Sequence, residues 1–305
     1  MKFKPLIKSL ILSFLTLGAL FLAGCSPSEP TSTSEGAFIG GTQGITAQFE
    51  AFGVEEDSVY SIFDSDTFQI EVTLNNKGEY EIQTGDIKVE LLGPSMQEFG
   101  GIPSWALKNK EVIDPISDLV TSGGQETLNF ASDAKFLGKV TGLLNRKWHA
   151  NIEYNYQTQV LVPEVCLKED LTDERVCEVK EDKQFFVSGA PITVTSVQED
   201  VAGKGIMALT FVVKNVGGGD KVTKVGETFG ATDKLSFQLD DPAWECKSAG
   251  KVNEARLIDG QAEIFCKLNN PLASGTLSVK QVKLTLDYTY RDSIQEDLRI
   301  KESVK

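Results

Sequence analysis

The chain has 305 residues, with 30 Lys and Arg against 44 Asp and Glu, a formal charge of −14 at neutral pH and one histidine. An acidic surface with dispersed charge argues against nucleic acid and against anionic lipid headgroups as partners, since both are held by clusters of Lys and Arg. The length suits one large domain or two of ordinary size.

Met1 to Lys8 carries Lys2, Lys4 and Lys8 and no acid, and residues 10–22 are apolar apart from Ser13, Thr16 and Gly18. A basic start, a short apolar run and small residues before a break make an export signal. The run is shorter than the ~20 residues of a membrane span. It ends in Leu22-Ala23-Gly24-Cys25, which resembles the lipobox of prelipoproteins. That resemblance implies cleavage before Cys25 and a diacylglycerol-type lipid on its thiol. Residues 1–24 are then a signal peptide, and the protein is exported and held by lipid on the extracytoplasmic side of a membrane, at the cell surface or in a periplasm. Several acyl chains anchor stably where one does not. Removing residues 1–24 takes three lysines away and moves the formal charge to −17. Residues 25–36 follow as a tether: Ser26 to Gly36 is Ser, Thr, Pro, Glu and Gly with no apolar residue to bury.

From Ala37 the pattern is that of strands. Phe68, Ile70, Val72 and Leu74 alternate with polar residues before Asn75-Asn76-Lys77-Gly78, and Ile87, Val89 and Leu91 alternate up to Gly93-Pro94. Residues 127–130 and 150–157 read as further strands. Residues 95–145 read as an insert of irregular structure with a short helix over 136–144. After Pro191 the grammar restarts: Leu209, Phe211 and Val213 run into Asn215-Val216-Gly217; Leu235, Phe237 and Leu239 end at Asp240-Asp241-Pro242; Leu284, Leu286, Tyr288 and Tyr290 alternate near the end. The chain is expected to be all-β.

The two halves share landmarks in one order. Asn76-x-Gly78 corresponds to Asn215-x-Gly217, Gly124-Gln125 to Gly260-Gln261, and Glu153-Tyr154-x-Tyr156 to Asp287-Tyr288-x-Tyr290. The nearly constant offset predicts a tandem repeat. Short strands spaced by turns over such units suggest two tandem immunoglobulin-like antiparallel β-sandwiches, one over 37–190 with the insert 95–145 and one over 191–305. At the strand-Asn-x-Gly stretches, over about 37–165 and 191–300, the chain resembles the CARDB-like Ig-like domains of bacterial and archaeal surface proteins. The resemblance implies a structural or adhesive role and brings no catalytic residues with it.

Cys25 aside, four cysteines remain: Cys166, Cys177, Cys246 and Cys266. Export permits disulfides, and the positions divide into two local pairs, though four cysteines allow other connectivities. Zinc would want closer Cys spacing or neighbouring histidines. The one histidine, His149, sits in no Gly-x-Ser-x-Gly or His-Glu-x-x-His frame. Asp64 and Asp66, near Glu55-Glu56-Asp57, are a weak calcium candidate without EF-hand spacing. Trp105, Trp148 and Trp244 are either core residues or platforms for a sugar. The expectation is a non-enzymatic, lipid-anchored surface protein. It would serve in adhesion, in envelope organisation or in binding a protein or carbohydrate partner. The alternative is a ligand-binding accessory subunit of a transporter or secreted enzyme complex.

Overall fold

In the computed structural model, residues 37–179, 182–219 and 221–303 are described, and no helix occurs among them. The first half contributes β1 (Ile45–Phe49), β2 (Val54–Glu56), β3 (Val59–Phe63), β4 (Thr67–Asn76), β5 (Ile87–Gly93), β6 (Phe99–Gly100), β7 (Ala106–Lys108), β8 (Gln125–Phe136), β9 (Leu143–Lys168) and β10 (Phe186–Val187). The second contributes β11 (Ile192–Gly203), β12 (Ile206–Asn215), β13 (Lys221–Thr223), β14 (Asp233–Leu239), β15 (Trp244–Ser248), β16 (Lys251–Val252), β17 (Ala255–Leu257), β18 (Gln261–Leu268) and β19 (Leu277–Lys301).

The longest strands, β9 and β19, form an antiparallel ribbon from Leu277 opposite Lys168 to Lys301 opposite Leu143. Alternation along β9 sends Trp148, Ala150, Ile152, Tyr154 and Tyr156 to a buried face and His149, Asn151, Glu153 and Asn155 to the other. The single register break lies opposite Pro163, between the pairings of Val162 and Val165. A proline cannot donate to the ladder and is accommodated at such a bulge.

A ten-stranded sheet extends on both sides of this ribbon in the order β17-β14-β19-β9-β5-β7. A four-stranded sheet, β1-β4-β8-β6, belongs to the first half, and a five-stranded sheet, β11-β12-β18-β15-β16, to the second. The boundary expected at 190/191 falls between β10 and β11. Strands from both sides of it share the large sheet, and residues 37–305 form one unit.

Residues 95–145, expected as an irregular insert, contribute β6, β7, β8 and the start of β9. β8 pairs with β4 from Gln125 opposite Asn75 to Lys135 opposite Thr67 and so lies inside a sheet. The short helix expected over 136–144 is not formed. Phe136 ends β8 and Leu143 begins β9, and the connection carries Gly138 and a left-handed Gly142 (φ 78°), which disfavour a helix.

Candidate functional site

Each of the matched landmarks has a structural role, and in each half the three meet. Asn76 Oδ1 accepts the Gly78 N–H (3.2 Å) and the Tyr156 hydroxyl (3.2 Å), while the Asn76 N–H donates to Gly124 O (3.0 Å). Asn215 Oδ1 likewise accepts the Gly217 N–H (3.3 Å) and the Tyr290 hydroxyl (2.9 Å), and its N–H donates to Gly260 O (2.8 Å). A Cβ at Gly78 would collide with the Tyr156 hydroxyl, and one at Gly217 would lie 2.8 Å from the Tyr290 hydroxyl. The glycine of Asn-x-Gly is thus needed for close approach. Where the halves join, Thr289 Oγ1 donates to Asn155 Oδ1 (2.8 Å). On either side, Tyr156 faces Tyr288 and Tyr154 faces Tyr290, with ring centroids 6.3 and 5.6 Å apart. Burial pushes the phenols of Tyr154 and Tyr288 well above their usual range. They are core groups, neutral at physiological pH.

The expected signal segment 1–24, Cys25 and the expected tether to Gly36 lie outside the described residues. Asp64 and Asp66 use their carboxylates to tie chain segments together. Asp64 accepts the N–H groups of Val140 (3.2 Å) and Ser303 (3.0 Å), and Asp66 accepts that of Phe63 (2.9 Å). Hydrogen bonds from the Ser303 side chain and then the Val140 N–H hold the Asp64 carboxyl below its ordinary value. Nearby Glu56 is likewise held low, first by its hydrogen bond from Lys301 (2.7 Å). No group of three potential metal-ligating side chains occurs among the described residues. Trp148 is fully buried and stacked with Trp105 at 5.9 Å, and Trp244 is buried too. Trp148 and Trp244 are therefore core residues, and half-buried Trp105 packs against that core. His149 is exposed on the ribbon opposite Gln295.

The cysteines pair as Cys166–Cys177 and Cys246–Cys266. The second joins neighbouring strands β15 and β18. The first pins the loop that leaves the end of β9, and here the surface opens into a cavity of 770 Å³. Its apolar lining is Leu171, Val176, Val179 and Val201, and its acidic lining is Asp173, Glu174 and Glu178. A shallower hollow of 540 Å³ lies beside Arg256 and Glu263, and neither cavity is lined by residues 95–145.

Buried charge lies in and behind the wall of the larger cavity. The Lys168 ammonium donates to the carbonyls of Asp173 and Cys177, both at 2.6 Å, and so gathers the loop around one cation. Glu199 accepts the Cys166 N–H (2.8 Å) and pairs with Lys183 (2.9 Å), with 0% and 4% of the two side chains exposed. Along the loop, Asp170 Oδ1 accepts the N–H (3.0 Å) and hydroxyl (2.7 Å) of Thr172. Arg175, first through its side-chain hydrogen bond, holds the half-buried Asp173 carboxyl far below the usual range. The sequence signalled the disulfide but not the cavity, because Val201 of β11 reaches it from outside the loop.

Compared with protein-family models, with curated proteins and with solved structures, the chain has no significant match.

Proposed function

We propose that the chain is an exported, lipid-anchored protein of the cell surface with a non-catalytic role, binding a partner through the cystine-pinned cavity. On this reading each half is an immunoglobulin-like sandwich of the CARDB-like kind, and Cys25 carries the lipid. The observation that carries the binding role is the cavity: an open hollow with apolar lining, held by a disulfide and by the buried Lys168. Rigid frames with such pinned loops are where binding sites are commonly built. Two disulfides also fit an oxidising, extracytoplasmic compartment.

The anchor is tested by fractionating cells that express the wild type and Cys25→Ala. The variant is expected in the soluble or unprocessed fraction; an unchanged, processed membrane fraction would sink the claim. The same cavity favours a second reading, an accessory subunit that holds a ligand for a transporter or secreted enzyme. Photo-cross-linking from Glu178 on intact cells separates the two. Links to a transporter or enzyme support the accessory role, and links to other envelope proteins or neighbouring cells support the adhesive one.

A further inference from the structure

The loop 169–179 carries five acids and one base, yet it also turns apolar side chains to water. Leu171 is 49% exposed and Val176 70%. Val176 has φ of +69°. A β-branched residue in the left-handed region is a true outlier, and such strain gathers at ligand-holding segments. The chain holds an apolar side chain outward at the rim, next to Cys177, where relaxation would turn it elsewhere. Glu174 and Glu178 are exposed at the same cavity. The Lys168 ammonium, by contrast, is buried and turned to backbone carbonyls.

We infer that this cavity binds a basic segment of a partner protein in which Lys or Arg alternates with aliphatic residues. This rests on the partner-binding reading above and names the chemistry of the partner. The aliphatic side chains sit against Leu171, Val176, Val179 and Val201, and the cations meet Glu174 and Glu178. A volume of 770 Å³ takes several side chains and lies within the range of ordinary binding pockets. The chain's own tether does not fit: residues 26–36 contain neither a base nor an apolar residue. A second copy is disfavoured by its net negative charge, which repels an acidic rim.

The test is a titration of the purified full chain with a fluorescently labelled KLVKLVK peptide, read by anisotropy. An ELVELVE peptide and spermine serve as competitors. KLVKLVK is expected to bind, to weaken between about 0.02 M and about 0.5 M salt as screening grows, and to be displaced by neither competitor. The Glu174→Gln/Glu178→Gln double variant is expected to lose about three- to tenfold in affinity, the size of two exposed ion pairs. Leu171→Ser is expected to weaken binding at both salt concentrations. Both variants alter exposed side chains, and unchanged thermal unfolding checks that they fold. No binding, equal displacement by ELVELVE, or unchanged affinity in both variants overturns the inference. Full displacement by spermine reduces the cavity to a cation site and overturns it too. Such a failure, with Cys25→Ala still released or unprocessed, refutes the peptide chemistry alone; membrane retention of processed Cys25→Ala refutes the anchor.

Discussion

At the end of the ribbon where β9 begins, Phe52, Phe99 and Trp105 surround Trp148 with centroid distances of 5.7, 5.1 and 5.9 Å, and Phe68 packs edge-on to it. At the other end β9 finishes in the Cys166–Cys177 disulfide, and the nearby five-stranded sheet carries Cys246–Cys266. The strand pairings correspond: β4 opposes β8 at Asn75 and Gln125 as β12 opposes β18 at Lys214 and Gln261. What differs is the filling. One end buries large rings, whose dispersion contacts and lost hydration stabilise the core. The other, where Trp244 and Cys246 are both buried on β15, adds covalent cross-links and a buried ion pair. Backbone pattern and turn chemistry thus specify the frame, while the material that holds it can be exchanged.

The contrast is most sharply broken at Trp148. Trp148→Ala is expected to lower unfolding free energy by roughly 3–5 kcal/mol, measured by urea denaturation under oxidising and reducing conditions alike. Equal sensitivity to reductant at both ends would contradict the division of labour. Replacing Cys246 and Cys266 together by Ala comes next, at about 2–4 kcal/mol. Hydrogen exchange should then rise in β15 and β18 and leave β4 and β8 unchanged.

The shared hydrogen bonds sharpen the comparison from the other side. Tyr156→Phe and Tyr290→Phe each remove a hydroxyl bonded to the equivalent Asn and to one backbone N–H, from Tyr80 (3.4 Å) and Gly219 (2.8 Å) respectively. Each is expected to cost about 1–2 kcal/mol, with Tyr290→Phe the larger because its bonds are shorter. A loss confined to one half would mean that the repeat is one of spacing and not of energetics.

The smallest effect is expected with acid. The Asp64 carboxyl is depressed below 3.8 in the folded chain, so its bonds are intact above that value and are lost as pH falls through the lower, folded one. Amide exchange at Val140 and Ser303, compared between about pH 5 and about pH 2 after correction for intrinsic rates, should show selective loss of protection. Unchanged protection would assign those amides another acceptor.

Much of the frame was legible in the sequence because alternation reports a half-buried strand directly: residues 68–74, 150–157 and 209–213 lie in β4, β9 and β12. The Asn-x-Gly and Tyr-x-Tyr landmarks were legible as well, since the hydrogen bonds that join them require those residue types. Pairing was not. β9 and β19 carry the same alternation, and nothing local says that they lie against each other and merge two halves into one sheet. The placement of β8 was hidden for a similar reason, because its partner β4 is some fifty residues away. The cavity was hidden because the end of β9, the loop after it and Val201 of β11 form it together, and only the cysteines mark the place.

The junction at Asn155 and Thr289 also has a consequence for assembly. Two like surfaces that meet about a two-fold axis form the self-complementary contact by which separate subunits make dimers. Such a contact ordinarily weakens on dilution, because association must be repeated in solution. Here one polypeptide contributes both surfaces, and the connection 169–191 joins the end of β9 to the start of the second half. The pairing is therefore an intramolecular event at a high effective concentration. The contact is therefore kept however dilute the chain becomes.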